Sequence, residues 1–204
     1  MRIRTISRIA NIAIVVVILA VSVAVSIAHA QGPATDKPAR PEVALGYTFL
    51  RSNAPPAGCT CFNLNGGNAT FAYPLGKGEF AVVGDLAAAH AGNISSSGYS
   101  LTLSTYTAGI RYAPKFGTKS LQPFGQALVG LAHSSGSLVQ GGATPAGNSG
   151  AAFASILGGG LDIQLNRRFS IRLFEADYVL TTIDNGGNNH QNNLRIDAGA
   201  VFHF

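Results

Sequence analysis

The sequence predicts an all-β protein: an eight-stranded antiparallel up-and-down transmembrane β-barrel, preceded by a signal peptide. Three observations carry this reading. Eight segments alternate with period two and are separated by clusters of Gly, Asn, Ser and Pro; the alternation sets large apolar residues against small ones; and the connectors alternate between long and short. Composition points the same way. Charged residues make up 11% of the chain, against roughly a quarter in an average soluble domain, and 25 of the 204 residues are Gly. The mixed-charge coat of an ordinary cytosolic enzyme cannot be built from this.

Taken in order, the chain opens with Arg2, Arg4 and Arg8, then an uncharged run from Ile12 to Ala28, then Ala28-His29-Ala30, small residues at both positions a signal peptidase reads. Residues 1–30 are therefore expected to be a cleaved secretory signal; an uncleaved anchor is the alternative, because the apolar run is 17 residues long. Loss of the leader leaves 11 Lys and Arg against 9 Asp and Glu, so the formal charge drops from +5 to +2. A basic nucleic-acid-binding surface loses its support, and no nucleic-acid partner is expected. No later run reaches the ~20 apolar residues a helical span requires, so any insertion has to use strands. Residues 31–41, QGPATDKPARP, carry three prolines and no apolar period, which predicts a flexible periplasmic lead-in to a single domain spanning 42–204.

The strand segments run approximately 42–50, 66–73, 79–90, 100–113, 121–133, 151–165, 169–182 and 193–204. In the first, Val43, Leu45, Tyr47 and Phe49 oppose Ala44, Gly46 and Thr48. In the third, Phe80, Val82, Leu86 and Ala88 oppose Asp85 and a series of alanines. The sixth sets Phe153, Leu157, Leu161, Ile163 and Leu165 against Gly158, Gly160, Asp162 and Gln164. The last is strict: Leu194, Ile196, Ala198, Ala200, Phe202 and Phe204 point one way, Arg195, Asp197, Gly199, Val201 and His203 the other. A soluble barrel, such as a lipocalin-like ligand binder, would show Lys, Glu, Thr and Gln on its second face. Here that face is Gly, Ala, Ser and a few charges, which suits a narrow lumen, and the large apolar face suits lipid.

Connectors after the first, third, fifth and seventh segments are long (RSNAPPAGCTCFNLN, AGNISSSGY, SSGSLVQGGATPAGNSG, IDNGGNNHQN), whereas PLGKG, PKFGTKS and NRR are short. That asymmetry places long loops outside and short turns, with both chain ends, in the periplasm. Tyr73, Phe80, Tyr112, Phe124, Phe169, Phe202 and Phe204 then fall at periplasmic strand ends, and Tyr47, Phe49, Phe153 and Tyr178 toward the outer ends, as two interfacial girdles would require.

Inward charges must be paired in a narrow low-dielectric lumen. The alternation nominates Arg111, Arg172 and Arg195 against Asp85, Asp162 and Asp197, expected to form a plug of salt bridges rather than a selectivity filter. One strand resists: Arg172 is even, while Glu175 and Asp177 are odd. Either a β-bulge near Phe174 shifts the register, or the two acids sit above the lipid at the outer rim. Cys59 and Cys61 lie far beyond the leader; in an exported protein they fit a small loop disulfide or free thiols, and no local ligands support a metal. His133 and Ser135 form a His-x-Ser pair that a lipid A or phospholipid hydrolase would need beside an acid, but Glu175 is on another strand. His90 and His190 are too far apart in sequence to argue a metal site. Leu157-Gly158-Gly159-Gly160-Leu161 is no nucleotide loop, because Ile163 stands where GxGxxG needs its third Gly, and no GK[ST] occurs. No catalytic residue, cofactor or metal is expected.

With these segments in place, residues 42–204 resemble the outer-membrane β-barrel domain family of Gram-negative bacteria, the small eight-stranded class that includes the barrel of outer-membrane protein A. The specific part is the end, where Asp197, Gly199, Phe202 and Phe204 in DAGAVFHF look like the family's C-terminal assembly signal. LQPFGQALVG, FSIRLFEADYVLTT and NNLRIDAGAVFHF look like its fifth, seventh and eighth strands. The resemblance implies a monomer of the cell outer membrane, in contact with outer-membrane lipid and lipopolysaccharide, inserted by the barrel-assembly machinery, without an appended peptidoglycan-binding domain. Its role would be structural or carried by surface-exposed loops, not enzymatic.

Overall fold

The computed structural model describes residues 40–52, 61–94, 99–114, 120–136, 150–183 and 189–204. The segment expected to be a signal peptide and most of the expected lead-in lie outside them, as does Cys59. Eight strands follow in chain order: β1 (Glu42–Ser52), β2 (Phe62–Leu75), β3 (Phe80–Ile94), β4 (Tyr99–Tyr112), β5 (Leu121–Ser135), β6 (Gly150–Gln164), β7 (Phe169–Thr181) and β8 (Gln191–His203). Each pairs antiparallel with the next, and β8 closes on β1.

The register fixes the barrel's dimensions. From Glu42, hydrogen-bonded neighbours lead through Ala72, Val83, Gly109, Leu128, Ile156, Val179 and Asn193 back to β1 at Ser52. One circuit therefore climbs 52 − 42 = 10 residues. For eight strands at ordinary spacing, that stagger means a tilt of about 40° and a backbone radius of about 8 Å, which side chains can fill.

The alternation read from the sequence is the one observed. Ala44, Thr48, Val83, Asp85, Arg195, Asp197 and Val201 are buried, while Leu45, Tyr47, Leu86, Leu157, Leu194 and Phe202 are exposed. Among the described residues, 22 large apolar side chains are exposed, up to 66% for Leu157 and 71% for Phe204. A water-soluble domain does not present a belt of this kind.

Strand ends differ from the sequence reading in two ways. β2 begins at Phe62, four residues earlier than expected, because Asn63 and Asn65 alternate with Phe62 and Leu64 in a true strand and pair with Arg51 and Phe49. The strands also overrun the expected loops, so the β3–β4 connection shrinks to 95–98, shorter than the β4–β5 turn at 113–120. The loop-to-turn contrast is thus weaker than the connector lengths suggested. The β2–β3 turn closes with Gly78 N–H donating to the Leu75 carbonyl at 2.8 Å, and Gly76 and Gly78 both take positive φ, 54° and 82°, which a side chain would strain.

Candidate functional site

The lumen divides into three levels. At the loop end, inward-facing Leu50, Leu64, Ala89, Leu103, Ala132 and Ala154 pack with Ile94 into an apolar cluster. The small, polar lumen expected from the alternation is therefore interrupted here, and again by a second inward cluster of Ala72, Val83, Leu128, Ile156 and Val179. Leucines at inward parity on β1, β2 and β4 close the loop end with hydrocarbon.

Below this lies the charge network. Arg195, 1% exposed, is its centre: Nη1 reaches Asp85 at 2.7 Å, Nη2 reaches Asp177 at 2.6 Å and Glu175 at 3.7 Å, and Nε reaches Asp197 at 3.0 Å. Arg172 grips Asp162 at 2.9 and 3.0 Å in a fork, and holds Glu175 at 2.7 Å. Arg111 pairs with Glu42 at 2.6 Å and donates to Gln126. All six residues nominated for the network face the lumen, and Arg195 contacts Asp85 and Asp197 directly while Arg172 contacts Asp162.

A bulge on β7 decides the question left open for Glu175 and Asp177. Arg172 pairs with Gly199 and Glu175 with Asp197, so Leu173 and Phe174 together oppose the single residue Ala198. Both point outward, and the strand resumes with Glu175 and Asp177 fully buried inside. The alternative placement at the outer rim does not occur. Carboxylates consequently outnumber guanidiniums, with Glu42, Asp85, Asp162, Glu175, Asp177 and Asp197 facing three arginines. Neutral donors share the excess: Thr48 donates to Asp197 at 2.5 Å, Thr70 to Asp85 at 3.1 Å and Gln126 to Glu175 at 2.5 Å. Oxygens of Glu175, Asp177 and Asp197 lie within 4.8 Å of one another, a spacing that could hold a metal, but the cation in contact with all three is the Arg195 guanidinium.

Phe124 corrects the girdle assignment. It shares its face of β5 with Gln126 and Leu128, is 7% exposed, and lies between Arg111 and Arg172, whose Cζ atoms are 4.3 and 4.5 Å from its ring centre. It is a cation–π platform for both guanidiniums inside the barrel. The remaining turn-end aromatics include the outward pairs Phe80–Tyr112 and Phe169–Phe202, with ring centres 4.9 and 5.4 Å apart. Small residues make room for the network: a Cβ on Gly158 would collide with the Asp177 carboxylate, and one on Gly160 would come within 2.8 Å of the Phe124 ring.

At the turn end the lumen opens into a cavity of about 260 Å³ lined by Glu42, Arg111, Gln122, Gln164 and His203, and by Arg40 and Arg167. Sequence parity on β1 was enough to place Glu42 inside, but its partner Arg111 is three strands away, and only closure of the barrel brings them together.

Other candidate groups are not assembled. His133 and Ser135 take the outward register of β5, whereas Glu175 is deep in the lumen and committed to Arg172. His90 pairs with Thr102 at 2.9 Å, and His190 with its neighbour Asn189. Cys61 is exposed beside the start of β2. At the C-terminus, Asp197 is a network member, Gly199 passes so close to the Leu45 carbonyl that a Cβ would collide with it, Phe202 packs on Phe169, and Phe204 N–H donates to the Pro41 carbonyl at 3.0 Å.

No family model and no curated protein matches the chain. Among solved structures it is similar to Ail, the attachment invasion locus protein of Yersinia pestis, at 18% identity and a TM-score of 0.57, covering 82% of this chain and 100% of that one. The same protein in complex with the heparin analogue sucrose octasulfate matches at 18% identity and 0.55, with the same coverage. Neisserial surface protein A matches at 15% identity and 0.59, covering 80% of this chain and 97% of that one. At such identities the likeness is one of fold: a closed eight-stranded barrel of the small outer-membrane type.

Proposed function

We propose that this chain is an integral outer-membrane protein, exported through its leader, whose barrel is a plugged scaffold and whose role is structural or carried by its loops rather than enzymatic. The observation that carries the reading is the pairing of an exposed apolar belt with a lumen filled by ion pairs and hydrocarbon. Lipid supplies the solvent that the belt needs. A soluble ligand binder would reverse both surfaces.

The loops supply the chemistry of any partner. Connections 53–61, 95–98, 136–149 and 182–190 contain no Lys or Arg, and are rich in Gly, Asn, Ser and Thr. Such loops suit neutral, hydrogen-bonding surfaces better than sulfated polyanions of the kind seen with Ail in one similar structure. Insertion in this reading goes through the barrel-assembly machinery, with DAGAVFHF as its signal, and the protein works as a monomer.

The test is membrane fractionation together with gel mobility in detergent. A folded barrel runs faster unheated than boiled and sediments with outer membranes; a water-soluble product after leader removal overturns the assignment. A shift in lipid A mass on expression would show hydrolysis instead of a passive role.

A further inference from the structure

We propose that the turn end of the barrel is a docking surface for the anionic headgroups of the phospholipid leaflet around it, so that this end is the electrostatic anchor and the loop end is not. The inference rests on the membrane-spanning reading above.

Charge outside the lumen is divided unevenly between the two ends. Arg40, Lys77, Arg167 and Arg168 are all exposed at the turn end, where Glu79 is the only described acid outside the lumen. At the loop end, Arg51 is the one exposed Lys or Arg among the described residues, and the loops contribute only Asp184.

Depth in the membrane is set by the aromatics. Phe80, Tyr112 and Phe202 are exposed side chains of the two ring pairs at the turn end, at the level where aromatics mark the boundary between hydrocarbon and headgroups. Arg168 directly precedes Phe169, and Lys77 lies three residues before Phe80, so these two cations stand one step beyond that boundary, while Arg40 and Arg167 line the mouth of the lumen beside them. Arg40 Nη1 donates to the Arg167 carbonyl at 3.3 Å, which sets two guanidinium-bearing residues side by side. Guanidinium groups match phosphodiester oxygens in geometry as well as charge. Lipopolysaccharide phosphates of the opposite leaflet meet no such set, because the loops carry no cation.

The experiment uses the mature protein refolded into phosphatidylcholine vesicles, with trace spin-labelled phosphatidylglycerol or spin-labelled phosphatidylcholine as the probe. Electron spin resonance reads the ratio of the two lipids' association with the barrel surface. Expected is a preference for phosphatidylglycerol of about threefold or more at low salt, collapsing toward one at 0.5 M salt, as surface charge attraction requires. R40Q/R167Q/R168Q should lose the preference with heat-modifiable mobility intact, and the milder R168Q should lower it. R51Q, at the other end, should leave it unchanged. Trypsin added outside the vesicles reports orientation, since it cuts after Lys and Arg. A wild-type ratio of one, or a ratio unaltered by the triple substitution, overturns the proposal, including the case in which the same cations are shown to retain isolated peptidoglycan. Failure of the wild type to gain heat-modifiable mobility in any vesicle overturns the membrane-barrel reading itself, and this proposal with it.

Discussion

Arg195→Met is the most informative perturbation of the lumen. The side chain is 1% exposed and its guanidinium contacts four carboxylates, three of them within 3.0 Å. Methionine keeps much of the length and none of the charge. Among the described residues, Asp85 then retains Thr70 as a side-chain donor, Asp197 retains Thr48, and Asp177 a long contact from Gln126 at 3.5 Å. Breaking one buried pair by removing a partner costs about 3–5 kcal/mol, because the remaining charge is left desolvated and alone. Three carboxylates lose their ion-pair partner here, so the loss should sit at or above about 5 kcal/mol, a third or more of a typical domain's stability. Arg195→Asp should cost more still, adding a seventh acid, and Arg195→Lys less, because it keeps the charge and loses the fork. Urea unfolding in micelles, followed by the heat-modifiable band, measures this directly. A midpoint for Arg195→Met within about 1 kcal/mol of wild type would show that the network is not what holds the lumen. Planar-bilayer recording then separates plug from channel: the wild type should conduct poorly, and Arg195→Asp should destabilise before it alters selectivity. Large, reproducible wild-type conductance, inverted in selectivity by Arg195→Asp with folding intact, would mean a channel.

Three further expectations follow from the packing. Gly158→Val should destabilise by about 1–3 kcal/mol through collision with Asp177 and the neighbouring strand, whereas Gly84→Ala, where a Cβ meets nothing within 4 Å, should leave the urea midpoint unchanged. Leu64→Ala, at a fully buried position of the loop-end cluster, should cost about 2–5 kcal/mol without producing a conducting pore, since the arginine network still fills the level below; single-channel currents from this variant would contradict that layering. Deletion of Phe204, or Phe204→Asp, should lower folded outer-membrane yield in cells while leaving detergent refolding near wild type, because the side chain is 71% exposed and contributes little packing. Equal loss in both assays would make its role structural, and loss in neither would remove it from any assembly signal.

What could be read in advance was whatever depended on parity within one strand. Leu194 to Phe204 and Val43 to Phe49 declared their faces through period two alone, and Arg195, Asp197, Asp85 and Asp162 were placed inside by the same rule. What escaped depended on the circuit of the barrel. Glu42 had the right parity beside Ala44 and Thr48, but its relevance comes from Arg111, 69 residues away in sequence and three strands round. Phe124 reads as a girdle residue from its position near a strand end, but its parity with Gln126 turns it into the lumen. Phe62 to Asn65 reads as loop because Asn and Gly signal turns locally, and strand pairing with β1 overrides that preference. The apolar seal depends on pairing between strands for a related reason: inward Leu50, Leu64 and Leu103 are spread over three strands, and the register, which sets Leu50 directly opposite Leu64, gathers them at one level.

The β7 bulge shows how a conflict within the sequence becomes a structural device. Strict alternation from Arg172 would turn Glu175 and Asp177 toward lipid, where a carboxylate near mid-membrane is costly. One added outward residue, with Leu173 and Phe174 both in the belt, returns the two acids to the lumen and lets Arg172 hold Glu175 from three positions back. The same shift brings Asp177 to Arg195, so the two arginines become joined through a shared acid, since Glu175 faces both. Without the bulge, β7 would offer Arg172 alone, and the lumen would hold three separate groups, Arg111 with Glu42, Arg172 with Asp162, and Arg195 with Asp85 and Asp197, instead of a network joined through Glu175. The local irregularity is therefore what makes the plug continuous from Asp162 to Asp85.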